Sequence, residues 1–194
     1  MSSVQLNSDA LVGSPAAGQI EYNGQFYATD SSSSRAQMQR LVQGTAQATT
    51  SGTSITFSSI PSWVKRITVM FNGVSLSGTA NHLIQLGSGS ATTTGYSTLS
   101  AYIQTTVATT ANTTGFFINS GNAAAALSGI GIFTNVSGNT WVGSINMSTP
   151  SGTALVALSN GTITLSGTLD RVIITTTNGT DTFDAGFVNI IYEG

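Results

Sequence analysis

Apolar and polar residues alternate with a period of two over most of this chain, and no stretch sustains the 3.6-residue period of a long helix. From residue 53 onward the alternation predicts strands at 53–58, 65–71, 82–86, 101–107, 115–119, 129–135, 140–146, 154–158, 162–166, 171–177 and 187–192. Ile55 and Phe57 share one face of the first, and Ile67, Val69 and Phe71 one face of the second. Val, Ile, Thr and aromatic residues dominate these runs, as a pleated, half-buried surface favours. Asn72-Gly73, Asn160-Gly161 and Asn178-Gly179 read as tight turns. The expected fold is all-β, an antiparallel β-sandwich of roughly eight to ten strands, with a jelly roll as one topology of suitable size.

The first fifty residues read differently. Residues 1–18 lack periodicity and predict an extended arm, with Val4, Leu6, Leu11 and Val12 as its apolar contacts for attachment. Such an arm cannot build a core alone, because ordering each residue costs roughly 1–2 kcal/mol of backbone entropy. It is expected to order only against a neighbour. Asn23-Gly24 between Gln19–Tyr22 and Gln25–Ala28 predicts a small β-hairpin with positive φ at both turn residues. Four serines at 31–34 read as a flexible break. Residues 35–43 fit either a short helix, with Met38, Leu41 and Val42 on one face, or a strand. Residues 44–52 read as a linker. The expected division is 1–49 for arm, hairpin and linker, serving attachment and oligomerisation, and 50–194 for the sandwich.

Composition narrows the function. Only 6% of the residues are charged, against about 25% in an average domain. Thr, Ser, Asn and Gly together make 92 of 194 residues, so polarity comes from hydroxyls and amides. One lysine and a net charge of -2 argue against nucleic-acid binding, which needs many phosphate contacts. No apolar run approaches the roughly 18 residues of a membrane-spanning helix, so no membrane insertion is expected. Zero cysteines exclude disulfides and thiolate chemistry. Sheet edges are ordinarily guarded by charge, lysine above all, and here only Lys65 is available. Uncharged edges predict an assembly that covers them.

Two separated segments carry a resemblance. Residues 60–71, IPSWVKRITVMF, and residues 165–193, with LSGTLDRVII, NGTDTFDAG and VNIIYE, resemble the C-terminal β module of tailed-bacteriophage tail fibres and other virion appendage proteins. Residues 18–29 resemble the short hairpin that precedes receptor-facing modules in such proteins. The resemblance implies a phage virion structural protein without enzymatic activity: a short fibre or spike, an adaptor or a capsid decoration subunit. It also implies a homotrimer, contact with other virion proteins, and host attachment as a further role. The N-terminus has neither a basic start nor an apolar core. The expected location is the virion, after synthesis in the host cytoplasm.

Candidate chemistry is sparse. His82 is the sole histidine and lacks a nucleophile motif, so it reads as an ordinary residue at a strand start, not a general base. Gly87-Ser88-Gly89-Ser90 precedes no predicted helix, which rules out a phosphate loop. Asp170, Asp181, Asp184 and Glu193 gather in the last 25 residues. Asp181 and Asp184 lack the ligand density of a calcium loop and fit turn capping better. No catalytic residue, metal or cofactor is expected. Trp63, Trp141, Tyr96, Tyr102 and Tyr192 fit core packing first. Tyr96, Tyr102 and Trp63 are the candidates for contact with a host surface glycan or a protein partner, in the alternative function of a carbohydrate-binding receptor module. The polar connection 87–100 is the expected exposed contact surface.

Overall fold

The computed structural model describes residues 10–120, 122, 125–149 and 154–194. The chain forms two compact units, Met1–Arg40 and Leu41–Gly194. The division falls between residues 40 and 41, where the sequence suggests 49 and 50, because the short strands at 41–43 and 47–48 pair within the larger unit.

The smaller unit is a three-stranded antiparallel sheet of β1 (Ile20–Tyr22), β2 (Phe26–Thr29) and β3 (Arg35–Gln37), in that order. Tyr22 pairs with Phe26, so the hairpin loop is three residues long, and of these only Gly24 takes a positive φ, at 96°. The serine run is an ordered turn. The Asp30 carboxylate accepts from the amides of Ser32 and Ser34, and from the Ser32 hydroxyl at 2.7 Å. The described part of the arm is tied to this sheet. Val12 N donates to Glu21 Oε1, Arg35 Nη2 donates to Val12 O, and Gly18 N donates to Thr29 O. Residues 35–43 form no helix. Met38 N bonds Phe26 O at 2.8 Å and extends the small sheet, while residues 41–43 pair elsewhere.

The larger unit contains β4 (Leu41–Gln43), β5 (Gln47–Ala48), β6 (Ser54–Phe57), β7 (Arg66–Leu76), β8 (His82–Ser88), β9 (Ser90–Ala91) and β10 (Ser97–Ile103). It continues with β11 (Val107–Asn112), β12 (Phe116–Ile118), β13 (Leu127–Ser137), β14 (Thr140–Thr149), β15 (Leu155–Thr164), β16 (Arg171–Thr176) and β17 (Phe183–Glu193). A nine-stranded sheet runs β11-β10-β15-β14-β13-β7-β17-β4, with β5 also on β17; a five-stranded sheet runs β12-β8-β16-β6, with β9 on β8. All pairings are antiparallel. This is the expected antiparallel sandwich. The order holds a β13-β14-β15 meander and does not establish a jelly roll.

The core follows from the alternation. Ile67, Val69 and Phe71 of β7 and Trp141, Ile145 and Met147 of β14 point inward, onto Ile84, Leu86, Val172 and Ile174 of the smaller sheet. Glycine makes room where aromatic rings cross. Phe133 lies opposite Gly143, and its ring meets Phe116 edge-on with centroids 4.8 Å apart. A Cβ on Gly143 would sit 2.5 Å from Phe116.

Two expected turns are not turns. β7 runs through Asn72-Gly73, with Gly73 at φ 63°, and β15 runs through Asn160-Gly161. Gly161 serves close approach: a Cβ there would lie 2.4 Å from Ser97 O on β10. Asn178-Gly179 is a turn, with the Asn178 carboxamide accepting from the amides of Thr180 and Asp181.

Candidate functional site

Inward residues of the nine-stranded sheet build the core, so alternate residues build its outer face. Register sets these in cross-strand rows. One row runs Asn189, Met70, Ile130, Asn146, Leu158, Ala101, Thr109. The next runs Ile191, Thr68, Ile132, Ser144, Asn160, Leu99, Ala111. Neither row contains an ion. Leu99 is 55% exposed, Ile130 44% and Phe187 46%. Among the described residues of this face, ions appear only at its ends. Arg66 pairs with Glu193 at 3.1 Å at one end, and Asp184 accepts from the Ser75 hydroxyl near the other. Soluble proteins ordinarily keep apolar exposure scattered. Here aliphatic side chains recur across seven strands with hydroxyls and amides between them. The edge strand β11, Val-Ala-Thr-Thr-Ala-Asn, is equally uncharged, and its Val107 is 65% exposed.

The face is creased. Adjacent strands β13, β7 and β17 carry register shifts at one level, with Gly129 at φ 149°, Gly73 at φ 63° and Gly186 at φ 88°. Bulges bend a strand and re-aim its side chains. The crease holds a groove of about 400 Å³ lined by Met70, Ile130, Phe187, Gln43, Asn72 and Asn189. Its floor is aliphatic, one wall is an aromatic ring and its polar groups are carboxamides. It can present apolar contact and neutral hydrogen bonding.

The aromatic candidates lie elsewhere. Tyr96 is 2% exposed; its hydroxyl bonds Leu86 N and O, and its ring meets Phe116 edge-on. Burial pushes that hydroxyl's pKa up to about 12. A side chain so enclosed has no surface for a ligand, and the connection 87–100 that carries it is partly built into β9 and β10. Tyr102 is half-buried on β10, opposite Ala108 and Ala157. Trp63 packs on the core beside Tyr192, with ring centroids 5.9 Å apart. Trp141 is buried. The structure does not bring Tyr96, Tyr102 and Trp63 into one site. Of the arm residues, Leu11 is half-buried and Val12 is hydrogen-bonded to Glu21 and Arg35; Val4 and Leu6 lie outside the described residues.

His82 begins β8, as expected, but sits in the interior. Its Nδ1 lies 3.2 Å from Ser120 Oγ, Phe71 and Phe183 flank the ring, and Nε2 has no partner. Asp181 accepts from Ala80 N at 2.8 Å, which together with Asn178 holds its carboxyl below the usual range. Asp184 is engaged with Ser75, on a different partner. Asp170 pairs with its neighbour Arg171 through two hydrogen bonds and also accepts from Gly89 N. Among the described residues, no three His, Asp or Glu side chains come close enough to hold a metal ion.

No family model, no curated protein and no solved structure matches this chain. The outer face escaped sequence reasoning because attention to the period of two follows the inward residues. Its signal was present in the other half of the alternation: Leu99, Ile130, Val142 and Val156 occupy positions where an exposed strand ordinarily carries charge or hydroxyl.

Proposed function

We propose that the chain is a non-enzymatic structural subunit of a tailed-bacteriophage virion: a short fibre or spike, adaptor or capsid decoration protein that displays the sandwich as a homotrimer. The observation that carries this is the broad, nearly ion-free outer face of the nine-stranded sheet, bordered by an uncharged edge at β11. A second observation supports it. The segments with phage resemblance, 60–71 and 165–193, are far apart in sequence, yet their strands β7 and β17 are hydrogen-bonded neighbours. Light scattering of the purified protein at micromolar concentration is expected to give about three times 19.8 kDa. Leu99→Lys with Ile130→Lys places charge on the outer face and is expected to lower that mass. Both side chains point to solvent, so the unfolding free energy of the subunit in urea should change little, by about 0.5 kcal/mol or less. A stable wild-type monomer would sink the proposal.

The groove favours a second reading, a carbohydrate-recognition module of a tail fibre. Phe187 offers a half-exposed ring of the kind that stacks on sugar C–H faces, and carboxamides beside it suit neutral hydroxyl ligands. A glycan array with host-surface polysaccharides is expected to show binding that Phe187→Ala reduces at least about tenfold, equivalent to about 1.4 kcal/mol. Binding unaffected by Phe187→Ala would remove the groove from the account.

A further inference from the structure

The small sheet has two unlike faces. Ile20, Ala28 and Ala36 form one cross-strand row, and Tyr22, Phe26 and Met38 the next on the same side. These two rows hold no ion; Asp30 and Arg40 follow them at the strand ends, Arg40 bonded to Gly24 O. The reverse face carries Glu21, Tyr27 and Gln37 in one row and Thr29 with Arg35 in another. The Glu21–Arg35 pair at 2.7 Å neutralises both charges within the unit.

The apolar face is open. Ile20 is 67% exposed, Met38 48% and Phe26 43%, although Tyr22 and Phe26 touch with ring centroids 5.0 Å apart. Among the described residues, every buried apolar side chain lies in the larger unit, the first being Ile55. A three-stranded sheet gains independent stability by packing its apolar face against something. Among the described residues of this unit, none covers the face.

We propose that this face is closed by the same face of neighbouring copies, so that the N-terminal sheet is a self-association element of the oligomer. The inference rests on the homotrimer reading above. Three observations favour a copy of the chain over a foreign protein. Each copy brings a face of matching size and apolar chemistry. The cross-strand rows of the face hold no acid or base, so no ion has to be buried where two such faces meet. Subunits already joined through their sandwiches would hold these faces at high effective concentration.

The chain has no cysteine, which makes disulfide trapping in the full-length protein direct. Ile20→Cys and, separately, Met38→Cys place a thiol on the apolar face, and Gln37→Cys places one on the reverse face. Under mild oxidation the first two are expected to give covalent dimer bands at least about tenfold stronger than Gln37→Cys, at a protein concentration where collisions between oligomers are rare. Circular dichroism and melting temperature matching the wild type confirm that each variant is folded. A wild-type oligomer in which neither apolar-face thiol cross-links above Gln37→Cys overturns this inference and leaves the homotrimer reading standing. A wild-type monomer by light scattering overturns both. A foreign protein that protects the face in purified particles, while the thiols stay uncrosslinked, assigns the face to that partner and equally overturns the inference.

Discussion

Replacing Gly186 by valine is expected to lower the free energy of unfolding by about 4 kcal/mol, as the sum of a backbone and a packing penalty. Gly186 holds φ at 88°, a conformation that a β-branched residue adopts only under strain. A Cβ there would also stand 2.4 Å from Gly73 O and 2.5 Å from Asn72 O. These are backbone atoms of the neighbouring strand, so no side chain can swing away to relieve the contact. The bulge cannot simply flatten either. Thr49 N donates to Gly186 O at 3.0 Å, and Thr49 Oγ1 donates to Ala185 O at 2.6 Å, which pins the kink from the opposite side. Gly179 supplies the comparison. It has a similar φ of 67° but nothing within 4 Å of its Cβ position. Gly179→Asn is therefore expected to cost about 0.5 kcal/mol or less, since asparagine tolerates the left-handed region. Urea denaturation of both variants at constant slope measures the difference. Equal losses would mean that close strand approach does not decide the cost at 186.

The Asn-Gly pairs show how far the sequence could be read. All three beyond the hairpin were expected to be turns, and only Asn178-Gly179 is one. The dipeptide permits positive φ but does not by itself reverse the chain. At 178 the carboxamide captures two following amides, which commits the backbone to turning. At 72–73 the alternation resumes with Val74 and Leu76 facing inward, and at 160–161 with Ile163, so burial of those residues keeps the strand running. The strands themselves were legible because Ile67, Val69, Phe71, Val172 and Ile174 mark one buried face. The candidate site was not. Residue type marks Tyr96 and Trp63 as candidates, whereas exposure is set by tertiary packing. Phe187 lies on the open side of β17, while Tyr96 lies between β9 and β10 with its ring turned into the core. The crease needed three register shifts in adjacent strands, and adjacency of β13, β7 and β17 is a long-range pairing that no local pattern encodes.

Acid is expected to destabilise the sandwich through one buried residue, His82. His82 is enclosed by Phe71, Phe183 and Ser120 and is paired in register with Ile118 and Thr176, so no carboxylate faces the ring from these neighbours. Burial lowers its pKa from 6.5 to about 4, because a charged imidazole would lose its hydration there without a counter-ion. The unfolded chain therefore binds a proton at a higher pH than the folded one. Stability from this group is fully present above pH 6.5 and is lost as pH falls toward 4. Between pH 7 and pH 4.5 the loss is about 2–3 kcal/mol. Three aspartates act in a separate window. Asp30, Asp170 and Asp181 are held below their usual pKa of 3.8, largest causes being the Ser32 hydroxyl, the Arg171 side chain and the Ala80 amide respectively. Their contributions are present above that pH and fade only below it. His82→Phe removes the titrating group and keeps an aromatic ring among the aromatic neighbours. Urea melts of both proteins at pH 7 and pH 4.5 separate the effects, because any packing cost of phenylalanine appears at both pH values and cancels. The wild type should lose about 2–3 kcal/mol over this interval and His82→Phe less than about 0.5 kcal/mol. A variant that loses as much as the wild type would show that proton uptake by His82 is not what acid does to this fold.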